Sequence, residues 1–297
     1  MRHIGVALAA IVSWVTVNLL VRGTQEVWPV NLAGVLGRVI TISTLAVWML
    51  STGDGSRRLR PRGFGIALLW MGLVALVLNL LWYNAMRWTT ATNAALLFRL
   101  DLVFVLLIGT FLGLERIRLP QAGILAFLMV GLGLFTEVNK LELTDHLVGD
   151  VMVVGAAFGY AVNAFIIRRI LTVMDTLAVS LYNLLASGLG FLIIAWSRDE
   201  FAALPQASSQ PHAWWWIIAL GFATAISLPL YYAALRRMPV WELRAWMLLA
   251  PVLVAVVEWC IWGIAISPMQ LVGALMLLTG LAVLIYEERT QPAIDQS

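Results

Sequence analysis

Ten apolar runs of about twenty residues follow one another along this chain: 4–21, 30–50, 64–84, 93–113, 121–138, 150–169, 177–197, 214–234, 243–264 and 269–286. At a rise of 1.5 Å per residue, each reaches across the ~30 Å hydrocarbon layer of a bilayer. A backbone inside that layer must satisfy its own polar groups, and a helix does so within one segment. The runs therefore predict an all-α integral membrane protein with ten transmembrane helices. Composition agrees: 62% of the 297 residues are hydrophobic and 12% are charged, against about 25% charged in a typical soluble domain. No stretch between runs is long enough to hold a soluble domain. The first run has a basic start (Arg2, His3), but it is longer than a signal-peptide core and no small-x-small cleavage site follows, so it reads as a retained helix.

Several function classes drop out early. Cys260 is the single cysteine, which excludes an internal disulfide and a cysteine metal cluster. No Walker loop is present to bind ATP, no paired-histidine motif appears, and His3, His146 and His212 stand near run ends or in loops. No cofactor, metal site or catalytic group is expected, and the chain does not read as an enzyme. A net charge of +3 is too small to argue for nucleic acid. The expected partners are a lipid bilayer and a small-molecule substrate, with the protein a monomer or homodimer.

Basic residues in short loops set orientation. With the N-terminus in the cytoplasm, the cytoplasmic segments hold 12 of the 19 basic residues: Arg2, Arg57, Arg58, Arg60, Arg62, Arg116, Arg118, Arg168, Arg169, Arg236, Arg237 and Arg289. The opposite face holds four (Arg22, Arg87, Lys140, Arg198), and three lie within runs (Arg38, Arg99, Arg244). Such a split requires an even number of spans, so both termini are expected in the cytoplasm of a multi-pass protein of the inner or plasma membrane. The exterior loop 137–150 is acidic (Glu137, Glu142, Asp145, Asp150). Trp28, Trp82, Trp88, Trp196, Trp214, Trp215, Trp216 and Trp262 fall near exterior run ends and read as interfacial anchors.

The chain also repeats itself. YNAMRWTTATNAALLFRLDLVFVLLIGTFLG (83–113) resembles YAALRRMPVWELRAWMLLAPVLVAVVEWCIWG (232–263), PQAGILAFLMVGLGL (120–134) matches MQLVGALMLLTGLAVL (269–284), and SWVTVNLLVRG (13–23) echoes GYAVNAFIIRR (159–169). The offset is about half the chain. Five runs per half is an odd number, so the second half enters from the other face, which is an inverted-topology repeat. The expected organisation is a first repeat over 1–145, a second over 146–290, and a short polar cytoplasmic tail over 291–297.

These residues resemble the EamA-type branch of the drug/metabolite transporter superfamily over essentially the whole chain. The resemblance rests on Ser13-Trp14, Tyr83-Asn-Ala-Met, LGLE at 112–115 and Gln121…Gly123…Gly131, then on Gly159-Tyr160, Tyr232-Ala-Ala-Leu, Ala250-Pro251-Val252 and Gln270…Gly273…Gly280. It implies ten helices, a central cavity and movement of small metabolites, often amino acids. Asp101 departs from it, standing where the family often has proline, while Pro251 keeps the proline of the ninth span. Glu115 has no counterpart in the second half, where Gly263-Ile264-Ala265 stands. Small multidrug pumps, distant relatives, use a glutamate in their first helix, and the first run here has no acid.

Charges inside spans are costly, at about 2.5–3.5 kcal/mol for Arg or Asp at mid-span, and they mark pathways or partners. Arg38, Arg99, Asp101 and Glu258 fall at similar depths, about 9–12 Å below the outer end of their runs at 1.5 Å per residue. Arg99 and Asp101 lie about 200° apart around a helix, so each looks to another span. Arg38 is the expected partner of Asp101 or Glu258. The four form either a self-neutralised structural network or a site where arginine accepts a substrate carboxylate. Arg244 is expected to snorkel to the cytoplasm. With Pro251 and Glu258 it shares one helix face, and Pro251 can kink the span, so Arg244 and Pro251 are candidate gating residues. Trp14 and Tyr160, with Asn18 and Asn163 one turn on, are expected to line the cavity, with Asn79, Tyr83 and Asn183 as weaker candidates of the same kind.

The expected function is secondary transport, by export, of an amino acid or other carboxylate-bearing metabolite, with the two five-helix halves rocking around the site. The alternatives are efflux of cationic compounds and, from a different class, a membrane-embedded lipid-handling enzyme.

Overall fold

A computed structural model of the chain describes residues 2–51, 65–85, 88–89, 91–115, 117–137 and 146–290. Arg57, Arg58, Arg60, Arg62, Arg87, Arg116, Lys140, Glu142, Asp145 and the tail 291–297 lie outside the described residues, as do the side chains of Arg2, Arg22, Trp82, Trp262 and Arg289.

Every element among the described residues is helical: α1 (Arg2–Gln25), α2 (Val30–Ser51), α3 (Gly65–Ala85), α4 (Ala91–Phe98), α5 (Leu100–Phe111), α6 (Leu119–Phe135), α7 (Leu147–Ile170), α8 (Thr176–Ser197), a 3₁₀ turn (Glu200–Ala203) leading into α9 (Leu204–Ser208), α10 (Ala213–Leu235), α11 (Val240–Met247), α12 (Leu249–Trp262) and α13 (Pro268–Thr290). Among the described residues, seven segments are long and apolar enough to cross a membrane, with Val240–Ile261 counted as one; Gly65–Leu78, Leu100–Phe111 and Leu119–Phe135 are shorter apolar helices. Large apolar side chains such as Leu69, Phe111 and Leu119 are exposed on the outer surface, where only a bilayer leaves such a surface at no cost.

The fourth and ninth expected spans are each broken once, at Arg99 and at Leu248. Both breaks tighten by one residue: the Leu102 N–H donates to the Arg99 carbonyl (3.2 Å) and the Leu248 N–H to the Ala245 carbonyl (3.1 Å). Pro251 explains the second, because it lacks the N–H that the Met247 carbonyl would receive. No proline accounts for the first. The two breaks are 149 residues apart and set the register of the halves. They place Leu102 opposite Pro251 and Ala250 opposite Asp101, one residue away from the match expected from sequence.

Other shared motifs also have local reasons. The Gln121 side chain accepts from the Arg118 N–H (3.0 Å) at the start of α6, and Gln270 accepts from the Ser267 N–H (2.9 Å) at the start of α13. Each glutamine thereby satisfies a backbone donor at a helix entry. The glycines bring α6 and α13 together: a Cβ on Gly273 would stand 2.3 Å from the Phe135 nitrogen and 2.6 Å from the Gly131 carbonyl.

Packing joins the halves helix by helix. The α4/α5 pair lies on α7, α7 on α3, α3 on α8, α8 on α2, α2 on α10, α10 on α1, and α1 on the α11/α12 pair, which returns to α5. The result is a closed ring with α6 and α13 paired outside it. A two-fold relation runs through the ring: α1 on α10 repeats α7 on α3, and α2 on α10 repeats α8 on α3. Apart from the internal joints of the broken spans, the principal contacts cross from one half to the other. The expected rocking of two separate five-helix bodies does not suit this interleaved packing.

Candidate functional site

The ring closes where α5 meets α11, and there the buried charges gather. Arg244 Nη1 lies 3.1 Å from Asp101 Oδ2, with both side chains buried (12% and 6% exposed). Asp101 occupies the first turn of α5, just past the Arg99 break. Arg244 stands four residues into α11, about 6 Å along that helix. Its guanidinium reaches into the ring and sits 5.8 Å from the centre of the Tyr231 ring. The snorkelling expected of Arg244 therefore does not occur: a carboxylate one span away draws the side chain inward. The expected pairing of Arg38 with Asp101 is replaced by this pair.

Arg38 lies instead against α8. Its Nε donates to Ser187 Oγ at 2.9 Å, and its guanidinium carbon stands 4.0 Å over the Phe191 ring. It remains within electrostatic reach of Tyr160, which Arg244 also influences. Glu258 is half-buried on α12.

Arg99, at the break, lies beside the Asp101–Arg244 pair. Its charge interacts with Asp101 and Arg244, yet among the described residues its guanidinium makes no hydrogen bond or ion pair. Two guanidiniums against one carboxylate leave the Arg99–Asp101–Arg244 cluster with one net positive charge. Arg244 Nε is likewise buried without a partner, as are Asn163 Oδ1 on α7 and Ser227 Oγ on α10. Buried polar atoms are normally satisfied, and an unpaired one costs about 1–3 kcal/mol.

Aromatic rings surround the cluster. Trp14 lies 5.9 Å from Tyr231, Tyr231 lies 5.7 Å from Tyr232, and Phe98 lies 5.3 Å from Tyr160. These rings come from α1, α10, α4 and α7, so both halves contribute. Asn18 is exposed on α1, Asn183 is half-buried on α8, and Pro251 is half-buried on α12 beside the break it causes. The side chains of Asn79 and Tyr83 lie outside the described residues.

Sequence reasoning did not single out Phe98, Ser187, Ser227 or Tyr231. Tyr231 had a detectable signal, since it precedes Tyr232-Ala-Ala-Leu, the counterpart of Tyr83-Asn-Ala-Met. Trp28 is also not an interfacial anchor: it is buried, and its Nε1 donates to the Ala213 carbonyl at 3.0 Å. Trp88, Trp196 and Trp215 are exposed, as anchors are.

Comparison with known proteins adds the lineage. The EamA-like transporter family matches residues 1–136 and 147–286, one repeat in each half. The chain is similar to an uncharacterized transporter of Methanothermobacter thermautotrophicus, at 24% identity over 240 residues, covering 79% of this chain and 68% of the relative. A solved crystal structure shares the fold at 20% identity, with a TM-score of 0.78 over 98% of this chain and 99% of the other. The helices, the paired halves and these matches identify a multi-pass membrane transporter rather than an enzyme. The chain belongs to the EamA-like transporter family, within the drug/metabolite transporter superfamily.

Proposed function

We propose that the protein is a secondary carrier that exports a small carboxylate-bearing metabolite with aromatic or amphipathic character across the inner or plasma membrane. One observation carries the reading: the Arg99 guanidinium, beside the Asp101–Arg244 pair, makes no ion pair or hydrogen bond among the described residues. A substrate carboxylate would neutralise the cluster and receive charge-assisted hydrogen bonds from Arg99 and from the free Arg244 Nε. Trp14, Tyr160 and Tyr231 would hold the apolar body of the substrate, and Asn163 Oδ1 would accept from its amine or hydroxyl. A cationic substrate would enter against the net positive charge.

In this reading ten helices cross the membrane as two inverted repeats, both termini face the cytoplasm, and access alternates about the α5–α11 seam. The test is flux into proteoliposomes. The purified protein should move a labelled carboxylate metabolite down its gradient, and Arg99→Ala should reduce that flux at least thirtyfold, which corresponds to about 2 kcal/mol. Undiminished flux in a correctly folded Arg99→Ala protein would refute the assignment.

A further inference from the structure

The seam between α5 and α11 is fastened a second time, toward the arginine-rich end of the ring. Gly113, in the left-handed region (φ +63°), ends α5; its N–H donates to the Thr110 carbonyl (3.1 Å) and the Leu114 N–H to the Gly109 carbonyl (2.8 Å). This turn folds Glu115 back over Gly109, where an added Cβ would stand 3.3 Å from the Glu115 Cβ. The buried Glu115 carboxylate then accepts the Val240 N–H (2.5 Å) and the Trp241 N–H (3.1 Å), the first donors of α11. Arg168 Nη1, from the end of α7, donates to the same carboxylate. One side chain thus ties together α5, α7 and α11.

Among the described residues the other half has no such group at this seam; its Glu200 carboxylate accepts the Asn31 N–H (3.0 Å) and the Leu32 N–H (2.9 Å) at the start of α2, away from the seam. Gly263 ends α12 in the same left-handed conformation (φ +66°), and two residues beyond it stands Ala265, where Glu115 stands two residues beyond Gly113. At the opposite end Asp150 accepts from Asn93 Nδ2 (3.1 Å) and from Thr89 Oγ1, but this contact joins α7 to the start of α4 and does not cross the seam. The fold is two-fold, but among the described residues the fastening of the α5–α11 seam by a carboxylate is found at one end.

We propose that Glu115 is a one-sided latch that closes the seam at the arginine-rich face and biases the carrier toward the state open on the opposite face. The proposal rests on the alternating-access reading above. Its release breaks two helix-end hydrogen bonds and an ion pair. Burial pushes the Glu115 carboxyl above the ordinary carboxylate range, while the Val240 and Trp241 N–H groups and the Arg168 guanidinium pull it down. Glu242 lies in the same first turn of α11. A carboxyl whose pKa is raised in the latched state binds its proton more tightly there than a solvent-exposed glutamate does, so acid by itself does not release the latch.

The test reads sidedness in the full-length protein with Cys260→Ser. Val240→Cys keeps its backbone N–H and reports the seam beneath the latch. A membrane-impermeant thiol reagent on the arginine-rich face should label it at least tenfold faster in Glu115→Ala. Asn163→Cys, labelled from the opposite face, should slow in the same background. Unchanged Val240→Cys labelling, or faster labelling with no slowing at Asn163→Cys, would overturn the latch. Glu115→Gln replaces Glu115→Ala should the latter fail to fold. Carboxylate flux, measured separately, reports on the carrier reading: reciprocal labelling without flux would keep the latch and reject the substrate.

Discussion

At the residue scale, the outcome turns on which charge finds which. That a charge within a span needs a partner follows from sequence and solvation alone. Choosing the partner needs the register of two non-adjacent segments. Arg244 illustrates the gap: four residues from the start of α11, a lone arginine would extend to water, but Asp101 across the seam offers a buried carboxylate 3.1 Å away. Arg99, two residues before Asp101 and at the break itself, has no such partner among the described residues. Removing one member of a buried pair leaves an uncompensated charge, at a cost of about 3–5 kcal/mol. Asp101→Ala should therefore lower the melting temperature in detergent sharply. Asp101→Leu with Arg244→Met should recover most of that loss, because neither charge remains buried alone. An Asp101→Ala protein as stable as the parent would show that the pair contributes nothing to the fold.

At the element scale, most of the helices were legible. The apolar runs coincide with the helices to within a few residues, because a segment that must satisfy its backbone internally has little choice of conformation. The breaks were only half legible. Pro251 announces the one at Leu248, whereas the one at Arg99 carries no backbone signal and is seen only in the structure. In the sequence Glu115 stands out only as a residue with no counterpart in the second half. Its role as an inter-repeat cap depends on the Gly113 turn aiming it at α11, a contact 125 residues away in sequence. The α6–α13 pair offers a test of the element packing. At Gly273 any side chain meets backbone atoms of α6, which no rotamer change relieves. Gly273→Val should destabilise by about 1–3 kcal/mol, read as a lower melting temperature. It should leave the affinity for a carboxylate ligand unchanged, since α6 and α13 stand outside the ring. Unaltered stability would contradict the close approach.

At the scale of the whole molecule, the internal repeat was visible in sequence, but its spatial consequence was not. Half-chain repeats suggest two bodies, whereas the principal contacts interleave the halves into one ring. Neither repeat encloses the candidate site alone: Asp101 and Arg99 come from the first, and Arg244, Tyr160 and Tyr231 from the second. The Arg99–Asp101–Arg244 cluster therefore carries one net positive charge where the repeats meet. The most direct measurement compares binding of a carboxylate metabolite with that of its carboxamide, by titration calorimetry on the purified protein and on Arg99→Ala. The account predicts that the parent prefers the carboxylate by at least tenfold and that Arg99→Ala loses this preference. Equal affinity of the parent for both ligands, or a preference that survives in Arg99→Ala, would contradict it.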